Sequence, residues 1–267
     1  MKKAVIFLLC FAFIFSITGC SNTEESTLTD STEAVTTQES NTEKEVISID
    51  TKTLYDEYIK IIKEYESTYG TITVERKAEA TNDALGGVSY YTLIDFNADG
   101  IEELLIVFDN NTTENDLNGA LSCNIHAFTG EKTELVYAEE LETDETKKLA
   151  GNVLWLAHEG ENVHFVKHIT SKKGKSTFAG YKFLEFNGKE FVDYFETLCE
   201  SGKDKPRYYI NSEMVSQDEF IAKNRSVKRY YTSFNSVRLN AHTEQNKFTF
   251  EVLQSGKVYT PPTTIEE

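Results

Sequence analysis

The sequence predicts an α+β fold: an antiparallel β-meander sheet with an N-terminal helix and a C-terminal helical segment. Three observations predict it. An apolar stripe at helical period opens the globular part at Leu54. A series of short β-branched and aromatic runs follows, broken by Gly-containing turns. A capping box at Ser216 then opens a second helical stretch. No helix-length segment separates the runs, so hairpins are expected rather than parallel βαβ units.

Residues 1–19 read as a signal peptide. Met1-Lys2-Lys3 is cationic, Ala4 to Ile17 is almost wholly apolar, and small residues follow. That is the layout of a secretory leader, and it falls short of the roughly 20 apolar residues a membrane span needs. Ile17-Thr18-Gly19-Cys20 resembles the lipobox of bacterial lipoproteins. The resemblance implies cleavage before Cys20 and acylation of that residue, palmitate being such a chain. Two or more chains anchor a protein stably, where one does so marginally. The expected location is the extracytoplasmic face of the cell membrane, held by the lipid anchor. Residues 20–50 are rich in Ser, Thr and Glu and poor in large apolar side chains. They read as a disordered tether, extended by its own like charges.

Residues 51–257 read as one α+β domain. From Thr53 to about Glu66, Leu54, Tyr58, Ile61, Ile62 and Tyr65 share one helical face. Thr53 with Asp56 suggests the cap, and Gly70 the stop. Strands are expected at 90–94, 104–108, 122–128, 134–138, 153–157, 163–169, 181–186 and 191–195. Asn187-Gly188 is the strongest hairpin signal, since both residues tolerate positive φ. Ser216-Gln217-Asp218-Glu219 is a capping box, opening a helix that continues, with a break, towards Phe234. Residues 246–253 read as a last strand, and 258–267, with Pro261-Pro262, as a flexible tail.

The net charge of -17 argues against nucleic acid and nucleotide partners, whose phosphates demand Lys and Arg. It suits a dispersed surface protein or one that binds cations. Cys10 falls in the leader and Cys20 at the lipidation site. Cys123 and Cys199 remain as a disulfide pair or as two small buried thiols.

The sharpest motif is Asp95-Phe96-Asn97-Ala98-Asp99-Gly100-Ile101-Glu102-Glu103. Oxygen side chains stand at loop positions one, three, five and nine, with Gly at six. Calcium is a hard ion that prefers six to eight oxygens at about 2.3–2.6 Å. Asp95, Asn97, Asp99, the main-chain carbonyl of Ile101 and Glu103 are the expected ligands. Gly100 permits the sharp turn. An EF-hand would carry a bidentate Glu at position twelve, but Ile106 stands there and the flanks are strand-like. One ligand fewer predicts a Kd on the order of 10⁻⁴–10⁻³ M, suited to a structural staple. The competing reading is an Asp-Gly turn of solvated acids.

Other features carry less. Gly174-Lys175-Ser176-Thr177 has the ending of a P-loop but Ile169 where its first Gly belongs, so it reads as a basic turn. His164 and His168 share a strand face about 13 Å apart, too far for one zinc. Trp155 and the pairs Tyr90-Tyr91, Tyr208-Tyr209 and Tyr230-Tyr231 could stack on a sugar, but strand alternation turns one of each pair to the core. Glu102 and Glu103 point to opposite faces, which makes a poor catalytic couple. No nucleophile motif is present.

Residues 91–106, Tyr-Thr-Leu-Ile-Asp-Phe-Asn-Ala-Asp-Gly-Ile-Glu-Glu-Leu-Leu-Ile, and residues 208–220, Tyr-Tyr-Ile-Asn-Ser-Glu-Met-Val-Ser-Gln-Asp-Glu-Phe, are similar to two segments of the uncharacterised calcium-loop lipoproteins of clostridia and related Firmicutes. Ala98 and Ser212 stand where those segments commonly carry Gly. The resemblance implies a calcium-binding loop in an exported α+β domain and no established activity. The expectation is a binding or interaction module for a protein or glycan ligand, stapled by calcium. A hydrolase acting on cell-envelope material and an accessory lipoprotein of an envelope complex are the alternatives.

Overall fold

The computed structural model describes residues 50–75, 84–110, 121–143, 152–202 and 205–257. The leader, Cys20, all of the tether except Asp50, and the 258–267 tail lie outside the described residues. Helix α1 (Thr51–Tyr69) starts two residues earlier than the pattern predicts. Its cap is Asp50, whose carboxylate accepts from Lys52 N and from the Thr53 hydroxyl. Thr53 is thus an interior residue held by the cap, and Asp50 belongs to the domain. Gly70 closes the helix as expected, its N–H returning to Glu66 O.

A two-stranded ribbon follows, β1 (Thr73–Glu75) with β2 (Ala84–Gly86). Then come β3 (Val88–Ile94), β4 (Glu103–Asp109), β5 (Leu121–Phe128) and β6 (Thr133–Glu140), an antiparallel sheet in sequence order. Six successive residues of β4 are buried. That is why Leu104-Leu105-Ile106-Val107-Phe108 reads as an unbroken apolar run: both faces are covered. Leu104, Ile106 and Phe108 meet Leu54, Tyr58 and Ile62 of α1. Leu105 and Val107 face the other way, into a second core.

The second sheet supplies the far side of that core. It contains β7 (Glu142–Thr143), β8 (Asn152–Glu159), β9 (Asn162–Lys173), β10 (Ser176–Phe186), β11 (Phe191–Ser201), β12 (Arg207–Ile210) and β13 (Glu213–Val215). β8 to β13 form a meander, and β7 pairs with β8. Leu154, Leu156, Phe165, Leu184 and Phe186 point at the first sheet. Gly180 lets β10 and β11 close up, since a Cβ there would stand 1.7 Å from Thr197 O.

Helix α2 (Gln217–Ser226) begins at the predicted capping box, with Ser216 and Glu219 satisfying each other's main chain. The continuation to Phe234 is corrected. Residues 228–234 are a strand, β14, antiparallel to β8 at the sheet edge. The predicted last strand at 246–253 is also corrected. It lies inside helix α3 (Leu239–Ser255), which packs with α1 on the free face of the first sheet. The result is helices, four-stranded sheet and eight-stranded sheet in layers, with α2 on the outer face of the last.

The β10–β11 hairpin has a four-residue loop, 187–190, between the paired Phe186 and Phe191. Only Gly188 there has positive φ; Asn187 instead accepts the N–H groups of Lys189 and Glu190. Asn211-Ser212, between β12 and β13, is a two-residue turn with both residues at positive φ. Gly174-Lys175 forms the β9–β10 turn.

Candidate metal centre

Ile94 pairs with Glu103, so the connection from β3 to β4 is the eight-residue stretch 95–102. Its shape comes from its own acids. Asp95 Oδ1 accepts from Asp99 N at 3.1 Å and Oδ2 from Gly100 N at 2.9 Å. Asp99 Oδ1 accepts from Ile101 N at 2.8 Å. The Asn97 amide donates to Asp99 Oδ2 at 2.8 Å. The chain turns through Ala98 (φ 54°) and Gly100 (φ 86°).

Three layers grip this loop. Tyr55 and Tyr58 of α1 donate to Glu102, at its carboxylate and its main-chain carbonyl. Phe96 points into the core between the sheets, edge-on to Phe191. Val163 N, at the start of β9, donates to Phe96 O. Glu102 and Glu103 thus do different work on opposite sides, as strand alternation requires.

Glu103 is 2 % exposed. Its carboxylate accepts from Phe96 N at 3.0 Å. Burial holds its carboxyl well above the usual carboxylate range, and the nearby Asp99 and Asp95 push it the same way. Asn97 Oδ1 is enclosed and has no hydrogen-bond partner. An enclosed acceptor without a donor is costly, and the same loop carries Asp95 and Asp99, whose charges act on Glu103.

The structure therefore brings Asp95, Asn97, Asp99 and Glu103 into one small neighbourhood, with Ile101 on the same turn. Among the described residues, however, no three Asp, Glu, His or Cys side chains converge closely enough to hold a metal ion by themselves. A cation would have to draw on the Asn97 amide oxygen and a main-chain carbonyl as well. Those neutral oxygens are what a hard ion takes alongside carboxylates.

The remaining sequence candidates lie elsewhere. His164 is buried on the outer face of the large sheet, stacked on Tyr194. Its Nε2 is 3.7 Å from Glu159, whose other oxygen accepts from Lys223 of α2. Sequence reasoning missed this group, because Tyr194 enters it through a β-bulge opposite Phe183 and Leu184. His168 is exposed against Tyr181. Cys123 is a buried thiol of the inter-sheet core, Cys199 lies on β11, and no disulfide joins them.

No protein-family model, no curated protein and no solved structure matches the chain.

Proposed function

We propose that this protein is an extracytoplasmic lipoprotein, anchored through Cys20, whose domain is a binding module stapled by calcium at the 95–103 loop. The anchor rests on the cationic, apolar leader ending in Ile17-Thr18-Gly19-Cys20. The staple rests above all on one observation: Asn97 Oδ1 is enclosed and unpartnered, on a loop whose Asp99 accepts from the same amide group. Asp95, Asn97, Asp99, the Ile101 carbonyl and Glu103 would hold the ion. Bound there, calcium would offset their repulsion and give Asn97 Oδ1 a partner. The resemblance to clostridial calcium-loop lipoproteins points the same way.

The grooves along α1 (Asp56, Lys60, Lys63, Glu64) and beside β6 (Glu134, Lys189, Glu190) are shallow, open and lined by both signs of charge, which suits contact with a partner's surface. Flow dialysis of the purified protein against radioactive calcium tests the staple. One ion should bind with a Kd on the order of 10⁻⁴–10⁻³ M, and Asn97→Ala should weaken it. Absence of binding to wild type in the millimolar range would refute the reading.

A further inference from the structure

Helix α2 is lightly held. It is ten residues long and none of them is buried. A helix of that length is marginal in water by itself, so α2 depends on its contacts with the outer face of the large sheet. Phe220 packs on Tyr208, with ring centroids 5.0 Å apart. Asn224 Oδ1 accepts from the Thr197 hydroxyl at 3.3 Å, and the Lys223 ammonium lies 4.0 Å over the Phe195 ring. Lys223 Nζ and the Ser226 hydroxyl both donate to one oxygen of Glu159, at 3.4 Å and 3.3 Å. The C-terminal half of α2 is thus tied to β8 through a single carboxylate.

The other oxygen of that carboxylate faces His164, 3.7 Å from its Nε2. His164 is 1 % exposed, stacked on Tyr194, and neither ring nitrogen has a hydrogen-bond partner. The titratable groups that face it come from four elements: Glu159 of β8, Glu185 of β10, Tyr194 of β11 and Lys223 of α2. Burial disfavours a charged imidazole most strongly. Glu159, Glu185 and the Leu184 main chain favour it, Lys223 opposes it, and the balance lies below the ordinary 6.5. A neutral ring therefore suits the closed arrangement. A charged one would lose its water, gain no acceptor at hydrogen-bond distance, and lie beside the ammonium that holds α2.

We propose that His164 is an acid-operated latch for α2: its protonation releases the helix from the sheet and uncovers Phe195 and Thr197. Lifting α2 lets water reach the enclosed ring, so proton uptake and opening favour each other. The folded value of His164 lies below the unfolded 6.5. Its contribution to the hold on α2 is therefore full above pH 6.5 and is lost as the pH falls through the lowered value. Two neighbours keep their charge state across that window. Burial raises Glu159, but Tyr194 and Lys223 bring it, on balance, below the usual carboxylate range. Glu159 in turn pushes the Tyr194 phenol up to about 12. The latch stands apart from the 95–103 loop and does not rest on calcium binding there.

Hydrogen exchange of the purified protein, read by mass spectrometry on peptides covering residues 217–226, tests this from about pH 7.5 to about pH 5. Rates are corrected for the intrinsic pH dependence of exchange and the ionic strength is fixed. Protection of α2 in the wild type should fall below pH 6.5 by up to about tenfold per pH unit, the limit for one proton taken up on opening. His164→Phe keeps a ring for Tyr194 to stack on and takes no proton, so its α2 protection should stay level. His164→Gln, a polar replacement that also takes no proton, should give the same level profile and serves where the phenylalanine does not fold. The other buried histidines titrate alike in wild type and variants, so the difference between them isolates the latch. Level protection in the wild type, protection that rises in acid, or the same fall in a folded variant would each overturn the proposal.

Discussion

Asn97, Ala98 and Asp95 show how single residues set the 95–103 loop. Asp95 spends its carboxylate on two main-chain N–H groups, which folds the turn before any ion arrives. Ala98 sits at φ 54°, where a Cβ costs about 1–2 kcal/mol. Glycine avoids that cost but loses about 0.5–1 kcal/mol through its freer unfolded chain. Ala98→Gly should therefore stabilise the domain by up to about 1 kcal/mol, read as a raised denaturation midpoint at unchanged slope. The oxygen-bearing side chains of the turn, their spacing and Gly100 were legible in the sequence, because alternation on a turn is a local property. The grip of Tyr55, Tyr58 and Val163 on the loop was not, because nothing local links residues so distant. His126 gives a second residue-scale test. It lies under α1, with Tyr65 Oη 3.1 Å from Nε2, and burial brings its imidazole down to about 4. Its folded value is below the unfolded 6.5, so its contribution is full above pH 6.5 and is lost as pH falls towards 4. The loss approaches about 3 kcal/mol across that window. His126→Gln should flatten this part of the pH–stability curve, and an unchanged curve would contradict the assignment.

Helix α3 shows why some elements escape a reading of local pattern. Lys247-Phe248-Thr249-Phe250-Glu251-Val252 alternates as a strand would. The residues it buries are His242, Asn246, Thr249 and Leu253, a helical stripe that is mostly polar. The stripe is polar because it meets a sheet edge. Asn246 Oδ1 accepts from Tyr91 N at 2.8 Å, and the Thr249 hydroxyl donates to Tyr91 O. The helix thus closes the free edge of β3. β14 reversed the opposite expectation: its alternation of Arg229, Tyr231 and Ser233 against Tyr230 and Phe234 is a strand signal, masked by the capping box just upstream. That box, the first helix and the strands β3 to β6 and β8 to β11 were legible, since each rests on spacing within one segment. Asn246→Leu should cost about 1–3 kcal/mol by leaving the buried Tyr91 N–H without an acceptor. Hydrogen exchange at Tyr91 should accelerate with it; an unchanged rate would show that the edge is covered by other means.

At the scale of the molecule, the loop lies where layers meet. α1 holds Glu102, the inter-sheet core holds Phe96, and β9 holds the Phe96 carbonyl. An ion ordering this loop therefore acts on the whole domain, and its effect should appear in the global transition rather than as local fraying. The α+β class and its antiparallel character were legible from run lengths and turns. The division into two facing sheets was not, because which hairpin packs on which is decided by the matching of apolar faces far apart in sequence.

The most direct measurement is the melting temperature of the purified protein and of Asn97→Ala across a calcium titration. At ten times Kd the ion should add about 1.4 kcal/mol, which for a domain of this size is about 3–6 °C in one cooperative transition. The variant, lacking the enclosed amide oxygen, should lose most of that rise. Identical responses in the two proteins, or no response in either, would contradict a cation held by this loop.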